Sequence, residues 1–388
     1  MPNCVRILAL AAFTLSAGFA WAADNPIRIG IDVPLTGFFA DSIRPSVQAT
    51  QLWQKQINAQ GGLLGRQVEI TTVDNKSSPE TGVSIYQDLL QKNYDFIFED
   101  GGSLMVQRES TLAEQNHRLM LAPAGFAQAL YKRGYKYLFF TGNSLSEDST
   151  IGLARLLASL PADERPKSIA YATLENIAFT GVTRGFQDHI KDLNIKTVLD
   201  VTYPANLNDA TPIIGNAKEQ NPGMIFQTGL SNDTVLFVRA AAQQGLKPPI
   251  TAVGYVAAAL PNFIDTVKEA GEHDLYATGW EPEVKNATNP GFVKSYEEMF
   301  HERPTYNAAH SYARWQILAQ AVTATNSLDQ DKLRDYIASN SFDTVVGTLK
   351  YNNLGYSTPE DTIVVQFQGG KRVIVWPKAQ ANGQLMLK

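Results

Sequence analysis

Residues 27–37 read IRIGIDVPLTG. From Ile27 to Val33 the stretch is β-branched and apolar without helical spacing, which predicts a buried strand. A helix is expected over 47–60, ended by Gly61-Gly62, and a second strand over 68–73. Ser78-Pro79-Glu80 then opens another helix: Ser caps, Pro takes the first helical position, and Glu faces the dipole. The alternation continues through a strand at 96–98, the turn Asp100-Gly101-Gly102-Ser103, a helix over 104–116 and a strand at 119–121. It restarts with strands at 137–140, 168–172, 198–203 and 224–227, with Ser144 and Glu147 spaced as a capping box for the next helix. Helices are expected over 211–220 and 232–244, the latter closed by Gly245. A strand at 275–280 is expected to return to the first lobe, followed by helices over 292–300 and 307–325. The end changes character: 347–351, 362–368 and 371–376 predict antiparallel strands, with Gly369-Gly370 as a hairpin turn.

Repeated strand–helix units imply parallel sheets covered on both faces. The chain has 388 residues, and single cores stop growing at about 250–300, so two lobes are expected. Ligands then sit at the carboxyl ends of strands, in the crevice between lobes. The start reads as a leader. Arg6 precedes an apolar run from Ile7 to Ala20, and Ala20-Trp21-Ala22 has the small-x-small form of a cleavage site. The run falls short of the ~20 residues a spanning helix needs. The lone Cys4 lies inside this leader and poorly placed for lipid attachment. Cleavage leaves a chain with neither a disulfide nor a thiol nucleophile, expected to be soluble and periplasmic. The net charge of −5 argues against a nucleic-acid partner.

Several of these residues form a pattern. Ile29-Gly30, Pro34-Leu35-Thr36-Gly37, Ile57-Asn58, Gly61-Gly62, Gly65-Arg66, Asp74, Gly102-Ser103, Pro123-Ala124, Ala241 and Gly245-Leu246 resemble, in order, the leucine/isoleucine/valine-type periplasmic binding proteins of ABC importers. The resemblance covers essentially the whole processed chain. It implies the type I periplasmic-binding fold: an α/β protein of two doubly wound parallel-sheet lobes joined by three crossovers, here near Thr141, Gly279 and Val346. The lobes would be 23–141 with 280–346, and 142–279 with 347–388, after a leader over 1–22. It also implies capture of a small carboxylate or amino acid by hinge closure, a membrane permease as partner, a monomeric state, and no cofactor or metal.

Ser103 follows a Gly pair at a helix start, where free N–H groups favour an anion. Its family counterpart contacts the ligand carboxylate; the plain alternative is a helix N-cap. Gly102, Ala124 and Gly125 let backbone approach a ligand. Among the aromatics in loops after strands, Phe39, Phe126 and Tyr255 rank above Phe38, Phe179 and Trp280, and Phe179 joins the candidate set. The five histidines show no metal spacing, and no Gly-x-Ser-x-Gly elbow or phosphate loop occurs, so an enzyme is disfavoured. A sensor of the same fold is a further alternative.

The α-amino-acid binders of this family place an acidic residue after the strand near Ile250 to meet the ligand ammonium. Here that loop is Thr251-Ala252-Val253-Gly254-Tyr255-Val256, with no Asp or Glu. Phe126 aligns where the first lobe otherwise offers a threonine hydroxyl. The resemblance so modified points to a carboxylate without an ammonium, an aromatic or branched organic or keto acid. A one-residue gap would bring Glu175, Asp233 or Glu281 to the ammonium instead and restore a branched-chain or other amino-acid binder. Intact mass of the exported protein is expected to correspond to a start at Ala23 or a residue or two beyond. A mass retaining Cys4, or one carrying acyl chains, contradicts the leader reading.

Overall fold

The structure, a computed structural model, describes residues 25–254, 259–260 and 262–388. The expected leader, its cleavage site and Cys4 lie outside them. The opening strand becomes β1 (Ile27–Val33), the middle of a parallel triplet with β2 (Val68–Asp74) and β3 (Phe96–Glu99). Ile29 stands opposite Ile70 on one side and Phe96 on the other. Helices α1 (Ala40–Ala59), α2 (Pro79–Gln91) and α3 (Ser103–Gln115) make the connections. Ser78 caps α2 as expected, accepting from the Thr81 N–H at 3.2 Å. α1 begins before Pro45 instead of after it. A proline near a helix start removes only one early hydrogen bond, and starting at Ala40 buries Ser42 and Ile43. The short parallel pair β4 (Met120–Ala122) and β5 (Leu138–Phe140) continues this layer beside β3.

The chain then builds a second sheet. β6 (Ser168–Leu174), β7 (Lys196–Tyr203), β8 (Met224–Thr228), β9 (Ile250–Val253) and β10 (Leu275–Thr278) lie parallel, connected through α4 (Ile151–Ser159), α5 (Ile177–Ile190), α6 (Thr211–Gln220), α7 (Ser231–Gln243) and the short α8 (Phe263–Val267). The capping box does not form. Ser144 Oγ makes no hydrogen bond, Glu147 accepts the Gln128 N–H, and α4 starts only at Ile151. β10 belongs to this second sheet; the return to the first layer follows it.

α9 (Asn289–Phe300) and α10 (Tyr306–Thr325) pack on α1, and α11 (Gln330–Ser339) on α10. α8 and α11 were not expected from the sequence. The hairpin β11 (Ser341–Thr344) and β12 (Gly347–Lys350) comes next. The chain stays with the first layer past Val346: Tyr351 packs edge-on to Phe139, and Gly355 accepts the Phe140 N–H. The third passage therefore lies between Tyr356 and Ile363, later than expected, because the segment after the hairpin, Tyr351 to Gly355, packs and bonds on β5. β13 (Ile363–Gln368) and β14 (Lys371–Trp376) then add antiparallel strands to one edge, giving the order β14-β13-β10-β9-β8-β6-β7. Their turn uses Gly369 and Gly370 at φ +57° and +72°, the left-handed values a tight hairpin needs. Asn143 Nδ2 donates to the carbonyls of Gly279, at 2.7 Å, and Val346, at 3.4 Å, so one side chain ties the first two passages between layers to the turn of the β11–β12 hairpin.

The core of the first layer holds an unusual group of acids. Asp32 on β1, Glu99 on β3 and Glu109 on α3 are each fully buried. α2 covers them through Gly82, where a Cβ would come within 2.5 Å of Glu109 Oε1 and 2.6 Å of Asp32 Oδ2. Neither carboxyl of the Asp32–Glu109 pair has a hydrogen-bond donor among the described residues. Burial pushes Asp32 up to about 6 and Glu109 and Glu99 well above the usual range. The folded state therefore holds protons that the unfolded chain has released, so stability is greatest below the unfolded carboxyl range and falls as pH rises through about 6. His310 acts oppositely on the acid side: burial lowers it to about 4, so its contribution is lost as pH falls from its unfolded value toward that point. Between about pH 4 and pH 7 the stability difference between Asp32→Asn and the native protein is expected to move in the variant's favour, by about 3 kcal/mol in all. Parallel melting curves of the two proteins across pH check this; an unchanged slope contradicts it.

Candidate functional site

The turn after β3 sets the site's first wall. Gly102 is the N-cap of α3 at φ +89°, a backbone conformation that L side chains rarely adopt. Ser103 is thus the first residue of the helix and does not cap it. Its Oγ accepts the Ala127 N–H at 3.1 Å, so its own hydrogen is left to donate. The N–H groups of Met105 and Val106 both turn to the Gly102 carbonyl. Those of Ser103 and Leu104, earlier still, belong to the set a helix cannot satisfy internally. The positive end of α3 and a hydroxyl donor meet at one point.

That point opens on a cavity lined from both layers. From the first layer come Phe39, Ser42 and Ile43 of α1, the turn Gly101 to Leu104, Ala124 and Phe126 after β4, and Tyr306 and Asn307 at the start of α10. Asn176, Ala178, Phe179 and Val182 after β6, and Leu230 after β8, close it from the second sheet. Ser146 lies where the chain passes between them. Of the residues singled out in the sequence, Phe39, Gly102, Ser103, Ala124, Phe126 and Phe179 come together here. Gly125 does not line the cavity. Its carbonyl is taken by the Tyr131 hydroxyl at 2.8 Å, and a Cβ on it would press on Tyr131 and Val106, so its smallness serves core packing. Tyr255 lies outside the described residues. Phe38 is exposed, and Trp280 is core, donating to Asn289 and the Val345 carbonyl.

Asn176 and Leu230 sit in the loops after strands that the sequence marks as informative. Tyr306 and Asn307 do not, because they begin a helix that no strand of this layer feeds. Asn307 is held by its Nδ2, which donates to the Ser42 carbonyl at 2.8 Å.

None of the described lining residues is charged. The acids nearest the turn are neutralised in different ways. Asp100 faces the fully buried Arg314, with both guanidinium nitrogens within 3.4 Å of its carboxylate. Glu99 accepts the Gly101 N–H, and burial raises it well above the usual range. The three acids that a shifted alignment would bring to an ammonium are elsewhere. Glu175 is exposed. Asp233 is buried against the Tyr203 hydroxyl at 2.6 Å, and burial pushes it up to about 6. Glu281 accepts from Tyr276 and pairs with Arg303.

A larger hollow of about 1180 Å³, lined by Phe237, Ala241, Leu246, Asp274 and Lys388 among others, touches only elements of the second sheet. Movement of the two layers cannot open or close it. Among the described residues, no group of three or more His, Cys, Asp or Glu is placed to hold a metal ion, and no helix is long and apolar enough to cross a membrane.

The family model of periplasmic binding proteins matches residues 26–371. A Leu/Ile/Val-binding protein homolog 1 from Brucella melitensis is 25% identical over 353 residues, covering 90% of this chain and 91% of its own length. Among solved structures, the branched-chain amino acid binding protein LivJ of Streptococcus pneumoniae in complex with isoleucine superposes with a TM-score of 0.80 at 19% identity, covering 94% of this chain and 100% of that one. A solute-binding protein of an ABC transporter from R. palustris in complex with benzoate gives 0.78 at 18% identity, covering 90% and 96%. With two α/β layers, a cavity between them and a match across nearly its whole described length, this chain belongs to the periplasmic binding protein family, the solute-binding components of ABC transporters.

Proposed function

We propose that the protein captures a small carboxylate lacking an ammonium group, an aromatic or branched organic or keto acid, and presents it to the membrane permease of an ABC importer. One observation carries the reading: the cavity combines free helix N–H groups and the Ser103 hydroxyl with aromatic walls, and no charged side chain lines it. An anion gains from the α3 end without a lysine or arginine. An ammonium has no such partner, and a buried cation left without its acid costs ~3–5 kcal/mol. Phe39, Phe126 and Phe179 instead offer apolar area, at about 25 cal/mol per Å² buried. Benzoate in the R. palustris neighbour is a ligand of this kind, whereas isoleucine in the S. pneumoniae neighbour is not; the charge-free lining favours the first type.

Ser103 holds the carboxylate in this reading, Gly102 and Ala124 admit its approach, and the three phenylalanines cover the rest. Contacts from both layers exist together only when the lobes are closed, so ligand shifts the protein toward the closed shape that the permease engages. No covalent step or cofactor is required. The protein acts as a monomer in the periplasm.

Ser103→Ala is expected to weaken ligand binding roughly tenfold to a hundredfold, the worth of a hydrogen bond to a charged group. Ser103 caps no helix, but its loss leaves the buried Ala127 N–H unmet, so stability is also expected to fall, by about 1–3 kcal/mol. Calorimetric titration beside a melt separates the two effects, and unchanged affinity contradicts the assignment. A thermal-shift screen pairing each amino acid with its keto-acid or aryl-acid analogue tests the ligand class. The amine-free member of a pair is expected to raise the melting temperature more. If leucine, valine or phenylalanine stabilises more than every analogue lacking the amine, the ordinary amino-acid role stands.

A further inference from the structure

Two residues that line the cavity carry polar atoms without a partner among the described residues. Asn307 is 3% exposed, and its Oδ1 accepts no hydrogen bond. Ser146 is fully buried, and its Oγ makes none. Both line the cavity. Buried polar atoms are nearly always satisfied, so each needs a donor or acceptor from whatever fills the space.

The orientation of Asn307 is fixed by its surroundings. Nδ2 donates to the Ser42 carbonyl at 2.8 Å, and the main-chain carbonyl of Asn307 accepts from Ser46 Oγ at 3.1 Å. Ser42 Oγ is itself committed to the Phe39 carbonyl at 2.9 Å. Turning the amide over would set two oxygens against each other at Ser42. Oδ1 is therefore the end without a partner, and it is an acceptor only. A carboxylate cannot satisfy it. An ammonium could donate to it, but a single neutral acceptor does not replace the acid that a buried cation needs. The donor that fits a charge-free wall is a hydroxyl.

We propose that the ligand carries a hydroxyl group that donates to Asn307 Oδ1, with Ser146 as a second polar point, so that the protein selects hydroxylated aromatic acids over unhydroxylated ones. This rests on the carboxylate reading above and adds a second anchor to it. The aromatic wall of Phe39, Phe126 and Phe179 suits a flat ring between the two anchors. A site built to accept a ligand O–H rejects the analogue without it, because the protein acceptor is then left buried and unmet.

Calorimetric titration of the purified protein with benzoate and the three monohydroxybenzoates tests this. At least one hydroxybenzoate is expected to bind about tenfold or more tightly than benzoate. Asn307→Leu is expected to abolish that preference, read as the ratio of hydroxybenzoate to benzoate affinity measured within the variant. If the preference survives Asn307→Leu and disappears in Ser146→Ala, the assignment to Asn307 is wrong. Should Asn307→Leu fail to fold, the wild-type ratio decides alone: benzoate binding as tightly as every hydroxybenzoate overturns the proposal, and an ordered water then satisfies Oδ1. Failure of all four aromatic acids to bind also overturns it. Branched keto acids and leucine titrated alongside show whether the carboxylate reading falls with it: binding of a keto acid keeps that reading, and binding of leucine alone removes it.

Discussion

A single buried guanidinium constrains the first layer. Arg314 on α10 has no exposed surface. It reaches the Asp100 carboxylate with two nitrogens, the Glu99 carbonyl at 3.3 Å and Thr50 on α1 at 3.3 Å. It also lies 4.4 Å over the Trp315 ring, which stacks on Trp53 of α1 at 4.8 Å. Leaving such a charge unpaired in the interior costs ~3–5 kcal/mol, so the end of β3, α1 and α10 are held in one relative placement. The consequences appear at the near ends of these elements. Gly102 and Ser103 follow directly from Asp100, Phe39 and Ser42 stand at the start of α1, and Tyr306 and Asn307 at the start of α10. Three helix starts converge on one wall because one ion pair fixes the elements that carry them.

The same region shows how a cavity for an anion is kept free of opposing charge. Asp32, Glu99 and Glu109 lie beneath it, and ionised they would oppose a carboxylate at Ser103. Burial raises all three, Asp32 to about 6 and the two glutamates well above the usual range, which reduces the negative charge they carry. Asp100, which has a cation beside it, is balanced instead. The polarity that reaches the cavity is then that of helix N–H groups, hydroxyls and amides. Such dipoles, fixed before the ligand arrives, need little reorganisation on binding, which preserves affinity.

Much of the fold was legible in the residues. β1 and β2 follow from runs of β-branched side chains, α2 from its Ser-Pro-Glu start, and the terminal hairpin from paired glycines. These are signals carried within a few residues of chain. The misreadings share a cause. The first helix was expected only from Val47, and Ser144 with Glu147 read as a cap, because each local pattern was taken without the partner that overrides it. In the structure, burial of Ser42 and Ile43 draws α1 across the proline, and the Gln128 N–H takes Glu147 away. The third passage moved for the same reason: Tyr351 and Gly355 find β5, which lies over two hundred residues earlier in the chain.

The sequence by itself determined the α/β class, the two lobes, and the turn at Gly102-Ser103, where a left-handed backbone must precede a helix. It also determined that the loop after β9, from Gly254 to Asn262, carries no acid. Tertiary structure alone decided that Ser103 is not a cap, that Gly125 faces the core, and that Asn307 and Ser146 bring unmet polar atoms to the cavity. Helix starts and turns are written by neighbouring residues. Which polar atom is left without a partner depends on segments far apart in the chain, here Ser42 against Asn307, and only their packing brings them within reach.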